Sequence, residues 1–298
     1  MTFSEYLDYW LDNHSKSNTA PRTHENYHYM ITQHIKPILG HIKISKLQSS
    51  HLQEYYAQKL SGGKLDGNGL SAQSVKHHHR LISKALKDAM RWEFIIRNVA
   101  AVITPPKTKK VEMQTWDNEQ VKAFLEAAKS SPYFPIYFTA INTGMRRGEV
   151  LGVRWQDIDF DNKVIYVRQS LQEVKKVGLT FKEPKSGKSR SITVTPTFTK
   201  EMKKVYKQQL ENKLLFGQAY HDLDLVFAQK NGKPIQPTEM ARNYLMVVES
   251  CGLPYIRFHD LRHTHATLLL QQGVHPKVVS ERLGHSTIGI TMDTYTHV

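Results

Sequence analysis

Apolar residues at the start of the chain recur at the spacing of one face of an α-helix. The positions that share this face are Phe3, Tyr6, Leu7, Trp10 and Leu11. The same spacing returns in segments 27–35 and 52–60. Each of these follows Ser, Thr or Asn residues that can cap a helix, with Ser50 as the cap of the third helix. The pattern predicts a first region built from helices alone.

A fourth helix is predicted from about Ala72 to Trp92, behind the cap Ser71. At roughly 100° per residue, its cations fall on one stripe that contains no acid: Lys76, Arg80, Lys84, Lys87 and Arg91. A second, mainly apolar stripe lies on another side: Val75, His79, Ile82, Leu86 and Ala89. The basic stripe is typical of a surface that contacts phosphates, and a plain solvated face is the alternative. Histidines 77–79 fan apart on a helix, so we expect them at the surface and not on one metal.

Residues 104–113, "TPPKTKKVEM", are basic and rich in proline, which indicates a linker between a helical domain 1–103 and a second domain 114–298. The second domain begins with a helix capped by Asp117 or Asn118. A buried helix, a Thr-Gly turn and another helix follow in "FPIYFTAINTGMRRGEVLGVRW". "KVIYVRQS" and "RSITVT" alternate like strands and are joined by a basic excursion. The predicted fold class is an all-α first domain followed by a mixed α+β, mainly helical domain with a small antiparallel sheet.

The charge of the chain points to a polyanionic partner. Its 298 residues carry 41 Lys and Arg against 27 Asp and Glu, a net charge of +14. Residues 1–110 alone hold 16 of these cations and 8 of the acids. A basic face gains affinity for nucleic acid by releasing counterions from phosphates. A surface that serves only solubility is the alternative.

Other compositional features exclude several classes of protein. One cysteine, Cys251, excludes an intrachain disulfide and a cysteine-rich zinc site. The longest apolar run is too short to cross a bilayer, and the N-terminus lacks the zones of a signal peptide. We therefore expect a cytoplasmic protein with no membrane partner.

Chemically active side chains gather in the second domain. "TGMRRGE" places Arg146 after a glycine turn, and "KSGKSR" places Lys185 at the tip of a predicted hairpin. Further candidates are His259 and Arg262 in "HDLRHTHA", His285 in "LGH" and Tyr295 near the C-terminus. Each residue alone is more often structural. Together they suit attack on a phosphodiester without a metal, because two guanidiniums can stabilise the charge that develops on the phosphate oxygens.

In this chemistry the Tyr295 phenol is the nucleophile and Lys185 is the general acid for the leaving oxygen. No cluster of Asp and Glu with metal-ligand spacing occurs in the sequence. We therefore expect neither a metal nor another cofactor.

The ordered motifs "TGMRRGE", "KSG", "HDLRHTHAT", "LGH" and "DTYTHV" resemble those of the tyrosine recombinases, specifically the integrases of phages and conjugative elements. The resemblance covers residues 114–298, and the preceding helices resemble the family's SAM-like core-binding domain. It implies a covalent 3′-phosphotyrosyl intermediate on Tyr295, with Arg146 and Arg262 as phosphate clamps and Lys185 as general acid.

The resemblance also assigns roles to residues around these groups. It implies that His259 and His285 position the phosphate and assist proton transfer. Glu149 and Asp260 match positions that orient the arginines and histidines, and a plain helix-surface role stays open for both. The implied partners are double-stranded DNA at attachment or core sites, a homo-oligomer (tetramer) on DNA formed from monomers in solution, and accessory DNA-bending proteins in a bacterial cell.

Two departures from the family pattern concern the ends of the chain. It opens directly on the core-binding helices, and only "THV" follows Tyr295. We interpret the chain either as a short recombinase or as one trimmed at its ends. The alternative functions are DNA relaxation by a type IB topoisomerase-like enzyme and a DNA-binding regulator without catalysis.

Overall fold

The computed structural model describes residues 1–63, 67–108, 113–174, 177–183 and 189–295. The chain divides into two compact units, Met1–Val111 and Glu112–Val298. Each unit has its own hydrophobic core. Within the described ranges, every helix is too short or too polar to span a bilayer.

The first unit is helical throughout its described residues. Its helices are α1 Phe3–Trp10, α2 Lys16–Asn18, α3 Pro21–Met30, α4 Lys36–Leu39, α5 Ser49–Gly62 and α6 Ala72–Arg91. π-Helical turns at Leu11–Ser15 and Ile31–Ile35 connect α1 to α2 and α3 to α4, and 3₁₀ turns lie at Ile44–Lys46 and Val99–Val102. The predicted cap Ser50 is wrong, because Gln48 caps α5.

The core of this unit is shared by several helices, among them α1, α5 and α6. The predicted apolar stripe of α6 is confirmed at four positions, since Val75, Ile82, Leu86 and Ala89 are all fully buried. Two hydrogen bonds also join α1 to α6. The Tyr6 hydroxyl donates to the Ala85 carbonyl at 2.6 Å, and the Trp10 indole donates to Asp88 at 2.9 Å.

The expectation that the histidines of α6 lie at the surface is confirmed for His77, which is exposed, and wrong for His78. His78 is only 3% exposed, and its Nδ1 lies 2.8 Å from the Tyr55 hydroxyl of α5. His79 pairs in the same way with Tyr56 at 2.9 Å. The spacing on α6 matches two adjacent phenols on α5, so both rings join the helices instead of facing water.

The second unit contains eight helices within its described residues. They are α7 Asn118–Ala128, α8 Phe134–Thr143, α9 Arg147–Leu151, α10 Pro196–Phe216, α11 Pro237–Ser250, α12 Asp260–Gln271, α13 Pro276–Leu283 and α14 Ile288–Tyr295. Single 3₁₀ turns lie at Trp155–Asp157 and Gly217–Ala219. Asp117 caps α7 as predicted and accepts a hydrogen bond from the Gln120 amide.

Two small antiparallel sheets lie among these helices. The first has the strand order β1 Ile158–Asp159, β2 Val164–Val167 and β5 Arg190–Thr193, with Ile165 opposite Ile192. This pairing confirms the two predicted strands. The chain between them was expected to be a basic excursion, but it also forms a second sheet, the hairpin of β3 Ser170–Val174 and β4 Gly178–Lys182. The predicted hairpin tip with Lys185 lies outside the described residues.

Candidate active site

The turn between α8 and α9 is shaped by Gly144. Its φ of 64° is left-handed, a conformation that glycine adopts without strain. A Cβ at this position would lie 2.6 Å from the His265 ring and 2.7 Å from a Leu283 methyl group. The turn therefore packs directly on α12 and α13, and this close approach brings Arg146 next to those helices.

Arg146 caps α9 and stands over its first turn. Its backbone amide and its Nη1 both donate to the carboxylate of Glu149, each at 2.9 Å. Nη2 makes a longer bond of 3.4 Å to the carbonyl of Gly284, after α13. The Arg146 side chain keeps 31% exposure, so part of the guanidinium remains open to a ligand.

Glu149 joins Arg146 to a second arginine that the sequence did not indicate. Arg190, the first residue of β5, donates to both carboxylate oxygens at 2.6 and 3.1 Å. Burial alone would raise the pKa of Glu149, but the bonds and charges of Arg190 and Arg146 outweigh burial and lower it to about 2. The carboxylate is thus ionised and holds both guanidiniums in place, which is the orienting position the resemblance implied.

Arg262 is buried on α12, with 3% exposure. Its Nη1 donates to the Gly144 carbonyl at 2.8 Å, and its Nη2 donates to the Leu283 carbonyl at 2.6 Å. Both acceptors are neutral, and within the described chain no carboxylate forms an ion pair with this guanidinium. A buried cation held only by carbonyl dipoles favours the arrival of an anion.

The two predicted clamp residues meet at neighbouring carbonyls. Arg262 binds the carbonyl of Leu283, and Arg146 binds that of Gly284. The next residue in the chain is His285, whose Nδ1 lies 2.8 Å from the Thr291 hydroxyl. Burial and then the charges of Arg262 and Arg146 lower the pKa of His285 to about 4, so this ring is neutral at pH 7. The structure therefore brings three of the predicted residues to one place.

Tyr295 ends α14 and reaches back to α12. Its side chain packs with Ala266, Val279 and Leu283 and is 5% exposed. Its hydroxyl lies 2.7 Å from Nδ1 of His263, a residue that was not among the predicted site residues. Burial raises the pKa of Tyr295 to about 12, although Arg262 opposes the shift.

Asp260 and His259 occupy the first turn of α12. His259 is exposed, and its ring stands edge-on to His263 with centroids 5.5 Å apart. Asp260 receives three hydrogen bonds from Arg257, two from the guanidinium and one from the backbone amide. Its hydrogen bonds therefore orient Arg257 and not the two clamp arginines.

His265 is a buried residue of the same helix, α12, and it binds an arginine of α13. Its Nε2 accepts from Nε of Arg282 at 2.9 Å. The other nitrogens of Arg282 donate to the carbonyls of Thr193 and Asn142, each at 2.9 Å. One guanidinium thus connects β5, α8 and α12.

The basic stripe of α6 belongs to the first unit. Arg80, Lys87 and Arg91 are exposed, whereas Lys76 and Lys84 are half-buried. The Lys84 ammonium lies over two rings, 5.4 Å from the centre of Tyr27 and 5.8 Å from that of Trp10. Arg91 donates to Asp88 at 2.8 Å, so an acid does reach the end of the stripe.

Part of the stripe lines a cleft of about 1150 Å³ in the first unit. The stripe residues that line this cleft are Arg80 and Lys84. Polar residues of α3 and of the turn that follows it also line the cleft, among them Asn26 and Gln33. The cleft therefore combines cations with side chains that can donate and accept hydrogen bonds.

Comparison with known proteins identifies this combination of units. The model of the phage integrase family matches residues 114–298, and a model of the phage integrase N-terminal SAM-like domain matches residues 2–61. The chain belongs to the phage integrase family. It is therefore a site-specific recombinase of the tyrosine type, and its SAM-like and catalytic regions confirm the predicted fold class.

Relatives of this recombinase include proteins of several mobile elements. A XerC-like tyrosine recombinase of Caldanaerobacter subterraneus is 30% identical over all of this chain and 80% of its own length. The ICEBs1 integrase of Bacillus subtilis is 25% identical over 94% of this chain and 75% of its own. The Tn1549 transposon integrase in complex with transposon right end DNA has a similar fold, with a TM-score of 0.85 and 20% identity over 100% of this chain and 96% of its own.

Sequence reasoning missed two residues of the site, Arg190 and His263. Arg190 follows a basic segment in which any of several cations could have been selected. His263 stands directly after Arg262, yet a histidine on a helix is usually structural. No local spacing distinguished either residue. Arg190 binds Glu149 and His263 binds Tyr295, and both partners are distant in the sequence.

Proposed function

We propose that this recombinase cuts and rejoins DNA strands through a covalent 3′-phosphotyrosyl intermediate on Tyr295, for the integration and excision of a mobile element. The observation that carries this assignment is the meeting of Arg262 and Arg146 at the adjacent carbonyls of Leu283 and Gly284. Arg262 is close enough to Tyr295 to oppose the rise of the pKa of its phenol. A phosphodiester between these groups would have two guanidiniums on its oxygens and a nucleophile beside it.

In the reaction, the phenol oxygen of Tyr295 forms a bond to phosphorus while the bond from phosphorus to the 5′-oxygen breaks. Arg146 and Arg262 stabilise the negative charge that gathers on the non-bridging oxygens. Lys185 gives a proton to the departing 5′-oxygen, and His259 and His285 position the phosphate. The reverse sequence rejoins a strand without ATP, since the phosphotyrosyl bond keeps the energy of the original ester.

Double-stranded DNA at attachment or core sites is the partner we assign to the first unit. The basic stripe of α6, the cleft beside it and the net charge of +14 support this assignment. A SAM-like domain model matches residues 2–61. We assign residues 1–103 to a core-binding domain, 104–113 to a linker and 114–298 to the catalytic domain.

Strand exchange requires two cuts on each of two duplexes, so we propose that four copies assemble on DNA from monomers in solution. One solved relative is a lambda integrase tetramer bound to a Holliday junction. Accessory proteins that bend DNA would help to bring the sites together. We place this assembly in the cytoplasm of a bacterial cell, where the chromosome is accessible.

The test uses nicked suicide substrates from the ends of the mobile element, incubated with the protein in EDTA. Cleavage releases a short fragment and traps the enzyme on DNA as an adduct that survives denaturation. We expect an adduct with the wild-type protein and none with Tyr295→Phe, although that variant still binds DNA.

The matched control is Tyr244→Phe. Tyr244 is buried in the same unit, and its hydroxyl has no hydrogen-bond partner in the described structure. Its removal should leave the adduct yield unchanged. An adduct of normal yield from Tyr295→Phe would refute the assignment of the nucleophile. Relaxation of supercoils without any recombinant product would favour the topoisomerase alternative.

A further inference from the structure

The phenol of Tyr295 must lose a proton before or while it attacks, and the structure shows where that proton points. Nδ1 of His263 lies 2.7 Å from the hydroxyl, within the range of a good hydrogen bond. Another imidazole of the site, His285, uses its Nδ1 on the Thr291 hydroxyl. Arginine has no acceptor, so neither clamp residue can take a proton.

The protonation states make the phenol the donor in this pair. Burial raises the pKa of Tyr295 to about 12, so the phenol is protonated at pH 7. Burial and then the charge of His259 lower the pKa of His263 to about 4, so this imidazole is neutral. A neutral imidazole with a free lone pair on Nδ1 accepts the phenol hydrogen and carries its own hydrogen on Nε2.

We propose that Nδ1 of His263 accepts the phenol proton when Tyr295 attacks the phosphodiester. The O–H bond of the phenol breaks as the bond from hydrogen to Nδ1 forms, and the released electron pair makes the new bond from oxygen to phosphorus. The 5′-oxygen leaves with a proton from Lys185. In the rejoining step the proton on Nδ1 returns to the phenol. This proposal rests on the role proposed above for Tyr295.

Charges around His263 make the transfer easier once DNA is bound. The groups that act on it are His259, Asp260, Arg262, Arg257 and His285. The arginines disfavour a positive imidazole, whereas the carboxylate of Asp260, one turn earlier on α12, favours it. A phosphate anion on Arg262 would offset part of the positive field, so substrate binding would raise the basicity of Nδ1 when it is needed.

The test compares His263→Asn with the wild-type protein in single-turnover cleavage of the nicked suicide substrate between pH 5.5 and 9. Asparagine places an amide oxygen near the position of Nδ1, so it can accept the hydrogen bond but cannot take the proton. We expect cleavage at pH 7 to fall by about 10²–10⁴-fold, the usual range for a lost general base, with DNA affinity unchanged.

The shape of the pH profile separates proton transfer from a structural role. Without an internal base, hydroxide must deprotonate the phenol, so the rate of His263→Asn should rise about tenfold per pH unit below the pKa of Tyr295. His275→Asn is the matched control, because His275 is an exposed cap of α13 and asparagine is also a good cap. It should keep the wild-type rate and profile.

A second variant serves if His263→Asn does not fold. His263→Ala opens space beside the phenol, and added imidazole should restore its cleavage in a concentration-dependent way. A substrate with a 5′-bridging sulfur needs no proton on its leaving group. It should therefore rescue Lys185→Ala but not the His263 variants.

The outcomes separate this proposal from the one on which it rests. If Tyr295→Phe forms no adduct while His263→Asn keeps the wild-type rate and profile, His263 is not the proton acceptor. If His263→Ala cleaves faster than wild type, the hydrogen bond from the phenol to His263 inhibits the attack, and the proposal is wrong. An adduct from Tyr295→Phe would instead refute the nucleophile itself.

Discussion

The two units contain the same pair of side chains in different surroundings. In the first unit the Tyr55 hydroxyl lies 2.8 Å from Nδ1 of His78, and in the second the Tyr295 hydroxyl lies 2.7 Å from Nδ1 of His263. Both tyrosines are at most 5% exposed. Burial raises the pKa of both phenols. By hydrogen-bond geometry alone, the two pairs cannot be told apart.

Their electrostatic surroundings separate them. The second influence on Tyr55 is its neighbour Tyr56, which raises the pKa of the phenol further. The second influence on Tyr295 is Arg262, which lowers it. The cations beside the two pairs also differ. The first pair has the Lys59 ammonium 5.9 Å from the centre of the Tyr55 ring, whereas the second has the Arg262 guanidinium, whose Nη1 and Nη2 both bind neutral carbonyls. A phenol–imidazole pair is therefore a structural link by default, and an adjacent guanidinium, whose planar fork can bind two phosphate oxygens, makes it suitable for chemistry on phosphate.

Among the changes that test this comparison of the two pairs, replacing Arg262 should have the largest effect. We expect Arg262→Ala to lower the rate of suicide-substrate cleavage by about 10²–10³-fold, as for the loss of a preorganised donor in other enzymes. Arg168→Ala is the control, because Arg168 is half exposed and pairs with Asp157 away from these contacts. Equal losses in both variants, measured at saturating enzyme, would show that any arginine of the unit matters equally.

Acid should destabilise the pair in the first unit. Burial lowers the pKa of His78 to about 4 in the folded protein, against an ordinary value near 6.5. Between these values the unfolded chain binds more protons, so the free energy of unfolding falls as the pH falls through that window. The loss is on the order of 3 kcal/mol for one such group, and urea titrations at pH 7.5 and 4.5 would measure it.

His78→Leu provides the comparison for this pH effect. It removes the titrating group, so its stability should depend less steeply on pH, even if the variant is less stable at pH 7.5. A pH dependence equal to that of the wild-type protein would assign the acid sensitivity to other groups.

The Tyr55 hydroxyl should matter for stability and not for the chemical step. Tyr55→Phe leaves Nδ1 of His78 without its partner in a buried place, which costs about 1–3 kcal/mol of unfolding free energy. Tyr9→Phe is the control, because Tyr9 is 45% exposed. It should change stability by less than about 0.5 kcal/mol. A loss of cleavage by folded, DNA-bound Tyr55→Phe would contradict the distinction between the two pairs.

The smallest effect is expected at the basic stripe. Replacing the exposed pair Arg80 and Lys87 by Ala should weaken binding to specific and random duplexes alike. The slope of log K against log salt should fall by about 0.9 per lost phosphate contact. The cleavage rate at saturating protein should not change. Lys84→Ala should also cost about 0.5–1 kcal/mol of stability, because its ammonium lies over two rings. An unchanged salt slope would make the stripe a solvated face.

Local patterns in the sequence predicted the helices well, because their signals lie within a few residues. The apolar stripe of α6 and the Asp117 cap follow directly from spacing. The hairpin of β3 and β4 was missed because the sequence of β3, "SLQEV", has few residues that favour strands. Its pairing with β4 is visible only in the structure. The burial of His78 was missed because its hydrogen-bond partner, the Tyr55 hydroxyl, lies on another helix.

Within the site, residue types were predictable and partners were not. Arg146, Arg262, His285 and Tyr295 could be selected from motifs, and the structure brings them to the same region. The bonds of Arg190 to Glu149 join residues 41 positions apart in the chain, so no local pattern indicates them. The bonds of Asp260 to Arg257 were within reach of sequence reasoning, since the two residues are one turn apart.

Gly144 limits how far this site can vary. A single methyl group there would push on His265 and Leu283. Through His265 it would disturb Arg282 and so the carbonyls of Asn142 and Thr193. It would also strain the left-handed turn whose carbonyl holds Arg262. A library randomised at this codon and selected for strand cleavage should therefore return glycine alone, so the smallest side chain in the site is also its least replaceable.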